Sequence, residues 1–181
     1  MVDDTVLSRA TERLTQVLGA EPARWLLVDV SHQELLLIEA WTVTRCYAIS
    51  TAAAGIDAHE GSGGTPPGVH RIDGKVGAES PEGTIFDSRE PTGEVYNPTD
   101  ENSADDERDL ILTRILTLTG LEAGVNQGSG VDSLSRYIYL HGTNQENRIG
   151  QPVSHGCIRL SNRDVIDLFN QVEPGDPVVI V

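Results

Sequence analysis

Basic residues are scarce in this chain of 181: 13 Lys and Arg stand against 28 Asp and Glu, a formal net charge of −15. A nucleic-acid binder needs a basic face to displace counterions, and docking on anionic lipid needs one too, so the balance argues against both. Long apolar runs are also missing. None approaches the roughly 18 residues of a membrane span. Met1-Val2-Asp3-Asp4 has neither the basic start nor the apolar core of a secretion signal. With Met1 as the natural start, a cytoplasmic location is expected. Cysteine is limited to Cys46 and Cys157, too few for a disulfide framework and consistent with a reducing compartment. No internal repeat is visible, and the length fits a single domain spanning 1–181.

What is present reads as strands with a helix near each end. Residues 5–19 form an amphipathic helix: Val6, Leu7, Ala10, Leu14, Val17 and Leu18 share a face, and Gly19 and Pro22 close it. Trp25–Val30, Glu34–Ala40 and Trp41–Ser50 read as strands, with Ser31-His32-Gln33 as a hairpin turn and Cys46 as a core residue of the third. Gly55 to Gly68 is a glycine-rich loop ending in Thr65-Pro66-Pro67-Gly68, followed by a short strand, Val69–Ile72. Residues 73–135 read as a loop-rich insertion. Within it, 73–108 has weak periodicity, Asp100–Asp109 is an acidic, solvated run, and Leu110–Leu118 is a buried strand. Arg136–His141 is a further strand. Asn162–Gln171 is a helix capped by Ser161 or Asn162, and Pro177–Val181 is the closing strand.

The chemistry concentrates between Tyr137 and Leu160, where His141, His155 and Cys157 share one glycine-containing stretch. A cysteine nucleophile attacks as thiolate and needs a base or positive charge beside it. His141 ends a strand, Gly142 lets the chain turn away, and the following loop is long enough to return Cys157 to His141. Ser154-His155-Gly156-Cys157 is a tight turn whose successive N–H groups suit a developing oxyanion. Arg159 is close enough to meet a substrate carboxylate, or else forms a structural ion pair. Tyr137 and Tyr139 share a strand face with His141 and either wall the cleft or pack. His70 is read first as structural, second as lining the cleft.

These residues resemble the YkuD-type L,D-transpeptidase catalytic domain. The match lies in His141-Gly142-Thr143, the spacer, and Ser154-His155-Gly156-Cys157-Ile158-Arg159-Leu160. It extends to Asn162, Asp164, Val165 and Ile166 downstream and Thr65-Pro66-Pro67-Gly68 upstream. The resemblance implies a mainly-β, β-sandwich-like catalytic fold and a cysteine mechanism on peptidoglycan stem peptides. Cys157 would be the nucleophile, His141 the general base and later acid, and the Gly142 carbonyl would orient the imidazole. The N–H groups of His155, Gly156 and Cys157 would form the oxyanion hole. Arg159, Ser154, Tyr139 and Thr143 would meet substrate, a muropeptide or tetrapeptide. No metal or cofactor is implied. The expected outcome is hydrolysis of the bond between the third residue and D-Ala, an L,D-carboxypeptidase reaction. The alternative is transfer to an amine, forming a cross-link or exchanging a D-amino acid. Residues 73–108 are expected to cover the acceptor side and favour water. Two other readings stay open. A zinc hydrolase could draw ligands from His141, His155, Cys157, His70 and Cys46. A non-catalytic binding module would leave Cys157 inert.

Overall fold

The computed structural model describes residues 4–99 and 108–181. Helix α1 (Asp4–Leu18) leads into an antiparallel meander of β1 (Arg24–Asp29), β2 (Glu34–Glu39) and β3 (Thr42–Ala48). Next come β4 (Gly68–Val76), β5 (Thr84–Asp87), β6 (Glu90–Val95) and β7 (Ile111–Gly120). The chain finishes with β8 (Tyr139–Gly142), β9 (Ile158–Leu160), helix α2 (Asn162–Gln171) and β10 (Pro177–Ile180). All ten strands join one sheet in the order β3-β2-β1-β10-β4-β7-β5-β6, with β8 paired to β7 and β9 to β8. The mainly-β expectation, with one helix early and one late, holds.

Both faces of the central strands are covered. Leu26 and Val28 pack with Val165, Leu168 and Phe169 of α2, while Trp25 and Leu27 pack with Ala10 and Leu14 of α1. This is why β1 reads as a continuous apolar run instead of alternating. Ser161 caps α2: its side chain accepts from the Asp164 N–H at 3.1 Å.

Three expectations are revised. Cys46 is exposed, not core. It sits opposite Leu36, whose side chain joins the α1 side of the sheet, but α1 packs over β1, β10 and β4 and does not reach the β3 edge. The stretch 73–108 is not mere loop. β4 runs on to Val76, and β5 and β6 make a hairpin whose outer strand is wholly exposed. Pro91 and Gly93 speak against a strand in sequence, yet an edge strand tolerates both. The Arg136–His141 strand shrinks to β8, because Tyr137 adopts φ 58° in a turn. Most of the acidic run, 100–107, lies outside the described residues.

His70 is fully buried on β4, with Nδ1 3.0 Å from the Gly68 carbonyl and Nε2 2.9 Å from Ser133 Oγ. Its position is structural. Burial pushes the imidazole down to about 4 from 6.5, against the opposing pull of the Gly68 carbonyl. As pH falls from 6.5 towards 4, the unfolded chain takes up a proton that the fold refuses. That selectively stabilises the unfolded state, so about 3 kcal/mol of stability is lost across this window. Urea unfolding against pH should show the fall, and His70→Gln should remove this share of it, leaving the contribution of buried His141. A wild-type-like slope in that variant would mean the ring titrates elsewhere.

Candidate active site

The site is built on the parallel pair β8 and β9, where Leu140 aligns with Ile158 and His141 with Arg159. Leu140, Ile158 and Leu160 point into the α2 core. By the period of two, Tyr139, His141, Cys157 and Arg159 share the opposite face. There Tyr139 clusters with Phe86 and Ile115, and Cys157 packs against them.

His141 is 2% exposed. Its Nδ1 lies 2.6 Å from the Gly142 carbonyl oxygen. With Nδ1–H donating there, Nε2 keeps its lone pair for proton exchange. Gly142 has no room for a side chain: a Cβ would meet Asn162 Oδ1 and come 2.8 Å from the Leu112 carbonyl. Opposite, the β7–β8 register shifts between Leu112 and Ile115, and Thr113 takes φ 74°. A β-branched residue in that region costs about 1–3 kcal/mol. Thr113 is held there by donating to Asn162 Oδ1 at 2.6 Å and accepting from the Gly83 N–H at 2.9 Å. Asn162 Nδ2 donates in turn to the Thr143 carbonyl at 2.9 Å. The bulge and Asn162 together fix the turn that follows His141.

The 154–157 turn that carries Cys157 is braced as tightly. Ser154 Oγ donates to the Cys157 carbonyl at 2.7 Å, and Thr65 Oγ1 donates to the Gly156 carbonyl at 2.9 Å. Gly156 adopts φ 130°, where a Cβ would lie 3.2 Å from the Gly64 carbonyl. The Gly156 N–H already has Ser154 Oγ at 3.3 Å. Among the described residues, the N–H groups of His155 and Cys157 donate to no protein acceptor.

Cys157 Sγ donates to the Tyr137 carbonyl at 3.3 Å and accepts from the Tyr139 N–H at 3.4 Å. Burial pushes the thiol up to about 12; the Tyr139 N–H, Arg159 and Arg136 oppose this, and Asp109 adds to it. Burial likewise pushes His141 down, with the Gly142 carbonyl and Asp109 opposing and Arg159 adding. Burial thus works against charge on both side chains.

The side chains expected to meet substrate are turned into the protein. Arg159, 1% exposed, donates to Asp109 Oδ1 at 2.8 Å, Gln145 Oε1 at 3.1 Å and Ser50 Oγ at 3.2 Å. Its place is the structural ion pair. Ser154 is 2% exposed and braces the turn. Tyr139 is buried, its hydroxyl accepting from Arg89 Nε at 3.0 Å, and Tyr137 packs edge-on against it. Thr143 is buried and accepts from the Gln145 N–H. His155, by contrast, has an 84% exposed side chain, with Nδ1 3.1 Å from Asp109 Oδ2. Among the described residues no three His, Cys, Asp or Glu side chains converge as metal ligands.

Two site residues escaped the sequence reading. Asp109 hides in a run of acids, distinguishable only by standing next to β7. Arg136, which donates to the Asp57, Ala58 and Gly64 carbonyls beneath the turn, looks like any loop arginine.

Residues 23–180 match the family model for YkuD, the L,D-transpeptidase catalytic domain. The chain belongs to this family. Over 49 residues it is 51% identical to the L,D-transpeptidase-named YkuD protein of Bacillus licheniformis, covering 26% of this chain and 30% of that one. Over 111 residues it is 32% identical to the L,D-transpeptidase-named ErfK/SrfK of Salmonella typhimurium, covering 60% and 35%. The matched stretches are thus about a third of these relatives' lengths. Among solved structures, L,D-transpeptidase 3 from Mycobacterium tuberculosis, in complex with a faropenem-derived adduct, superposes with a TM-score of 0.53 at 20% identity, covering 88% of this chain and 60% of that one. The L,D-transpeptidase from Mycobacterium smegmatis gives 0.50 at 19% identity, covering 88% and 58%. At such identities these structures establish the shared fold. No helix among the described residues is long and apolar enough to cross a membrane.

Proposed function

We propose that this family member is a cysteine acyl-transfer enzyme acting on peptidoglycan stem peptides, with water as acceptor, an L,D-carboxypeptidase of free muropeptides. A cytoplasmic setting belongs to this reading. What supports the acyl-transfer part is that Cys157, just before β9, and His141 on β8 fall on one face by the period of two, with His141 Nδ1 bonded to the Gly142 carbonyl; water as acceptor follows from the cytoplasmic setting. His141 Nε2 takes the thiol proton as Cys157 Sγ adds to the carbonyl carbon of the third residue. The oxyanion is received by the N–H groups of His155 and Cys157, which have no other acceptor among the described residues. Collapse expels D-Ala, whose amine takes the proton from His141, and leaves a thioester. Water then attacks, giving its proton to His141. Release of the tripeptide carboxylate returns that proton to the sulfur.

The alternative is an amine acceptor, giving a cross-link or an exchanged D-amino acid. Incubation with a disaccharide tetrapeptide, with and without a D-amino acid, followed by mass spectrometry, tests the two. Loss of one alanine without dimer or exchange is expected. A cross-linked dimer or exchange product as the main species would overturn the preference for water, and an unchanged tetrapeptide would sink the reading altogether.

A further inference from the structure

Resting on that reading, we propose that Asp109 is a positioning residue for the reacting pair, joining exposed His155 of the nucleophile turn to buried Arg159 and balancing that guanidinium where His141 must take up a proton. The geometry is bidentate. Oδ2 meets His155 Nδ1 at 3.1 Å and Oδ1 meets Arg159 Nη1 at 2.8 Å. Arg159 is 1% exposed and its other partners, Gln145 and Ser50, are neutral. Its Nε is buried with no acceptor. Among the described residues, Asp109 is therefore the one carboxylate bonded to a positive charge that sits beside His141 in register on β9.

An uncompensated guanidinium there would oppose protonation of His141. Asp109 offsets it, and its own carboxyl is held below the ordinary range because bonds from His155 and Arg159 outweigh its burial. The same carboxylate works against ionisation of Cys157. The other groups acting on the sulfur are Arg159, Arg136 from the loop before β8, the Tyr139 N–H and the Tyr137 carbonyl that accepts from the thiol. Asp109 thus favours the proton on either partner and holds the pair to one working range, while its second oxygen anchors the turn carrying the oxyanion donors. The anchor is itself fixed: the neighbouring Leu110 N–H donates to Asn144 Oδ1 at 3.1 Å.

The test is the rate of Cys157 alkylation by iodoacetamide against pH, read by peptide mass, which needs no peptide substrate. Its acid limb reports the imidazole that assists the thiol. Asp109→Asn keeps an acceptor oxygen but loses the charge, and its limb should move down by about one pH unit. Arg159→Met leaves the carboxylate unbalanced and should move the limb up. The double variant should return it towards wild type, and Asp109→Glu should leave it in place. Should Asp109→Asn fail to fold, the upward shift in Arg159→Met reads the same balance. A merely structural role would lower the rate in these variants without moving the limb, and that result overturns the inference alone. A wild-type Cys157 no more reactive than Cys46 at any pH would overturn the functional reading beneath it.

Discussion

Cys157→Ala is expected to reduce turnover of the tetrapeptide to below about one part in ten thousand of the wild-type rate while leaving the fold in place. The size follows from the chemistry: where a nucleophile and its base act as a unit, losing the nucleophile removes about 10⁴–10⁶ of rate, and only binding and oxyanion stabilisation remain. The fold should survive because the thiol contributes little to it. Sγ makes two long bonds to the backbone of Tyr137 and Tyr139 and packs at the margin of a small cluster with Phe86 and Ile115. Losing that contact costs about 1 kcal/mol. Intact-protein mass after exposure to a β-lactam supplies a second readout. A covalent adduct is expected on the wild type and none on the variant. A variant retaining a tenth of the wild-type rate, or an adduct carried by Cys46, would remove Cys157 from the reaction.

His141→Gln should lower turnover by about 10²–10⁴-fold, the usual contribution of a positioned general acid–base. Glutamine is close in size, and at a site only 2% exposed that matters, because a smaller residue would leave a cavity. The decisive measurement is alkylation against pH. Burial already places the thiol near 12, above the value of about 8.5 of free cysteine. Removing the imidazole leaves that burial in place. It removes the assisted limb at lower pH and leaves only the rise that follows thiol ionisation itself. His155→Gln should keep the assisted limb, since its ring points to solvent and Asp109. Loss of the limb in His155→Gln together with its survival in His141→Gln would reverse the assignment of the base.

Much of this protein was legible from local order. The amphipathic spacing of Val6 to Leu18 specifies a helix whatever it packs against. Ser161 three residues before Asp164 marks the start of α2, and a histidine–glycine at a strand end followed by Ser-His-Gly-Cys points to the proposed reacting pair. Such features are written in neighbouring residues, because turn geometry and the periods of helix and strand act over a few positions. The β5–β6 hairpin was not legible. Its outer strand buries nothing and contains Pro91 and Gly93, so neither alternation nor propensity marks it, and only pairing of β5 with β7 creates it. Cys46 was misplaced for the complementary reason: its strand has the right residues, but how far α1 reaches across the sheet decides which of them are covered.

The same division runs through the site. Spacing alone puts Arg159 on the face of Cys157, two residues on. Whether it meets substrate or a carboxylate depends on Asp109, fifty residues earlier, arriving at 2.8 Å. The burial that lifts the Cys157 thiol and lowers His141 likewise comes from residues brought together by the sheet, including Phe86 and Ile115. Which groups the proposed chemistry could use is written in the chain, since a thiol and an imidazole carry their reactivity with them. How deeply they are desolvated and which charges surround them depends on the fold, because desolvation and Coulomb interaction depend on distance in space and not on distance along the chain.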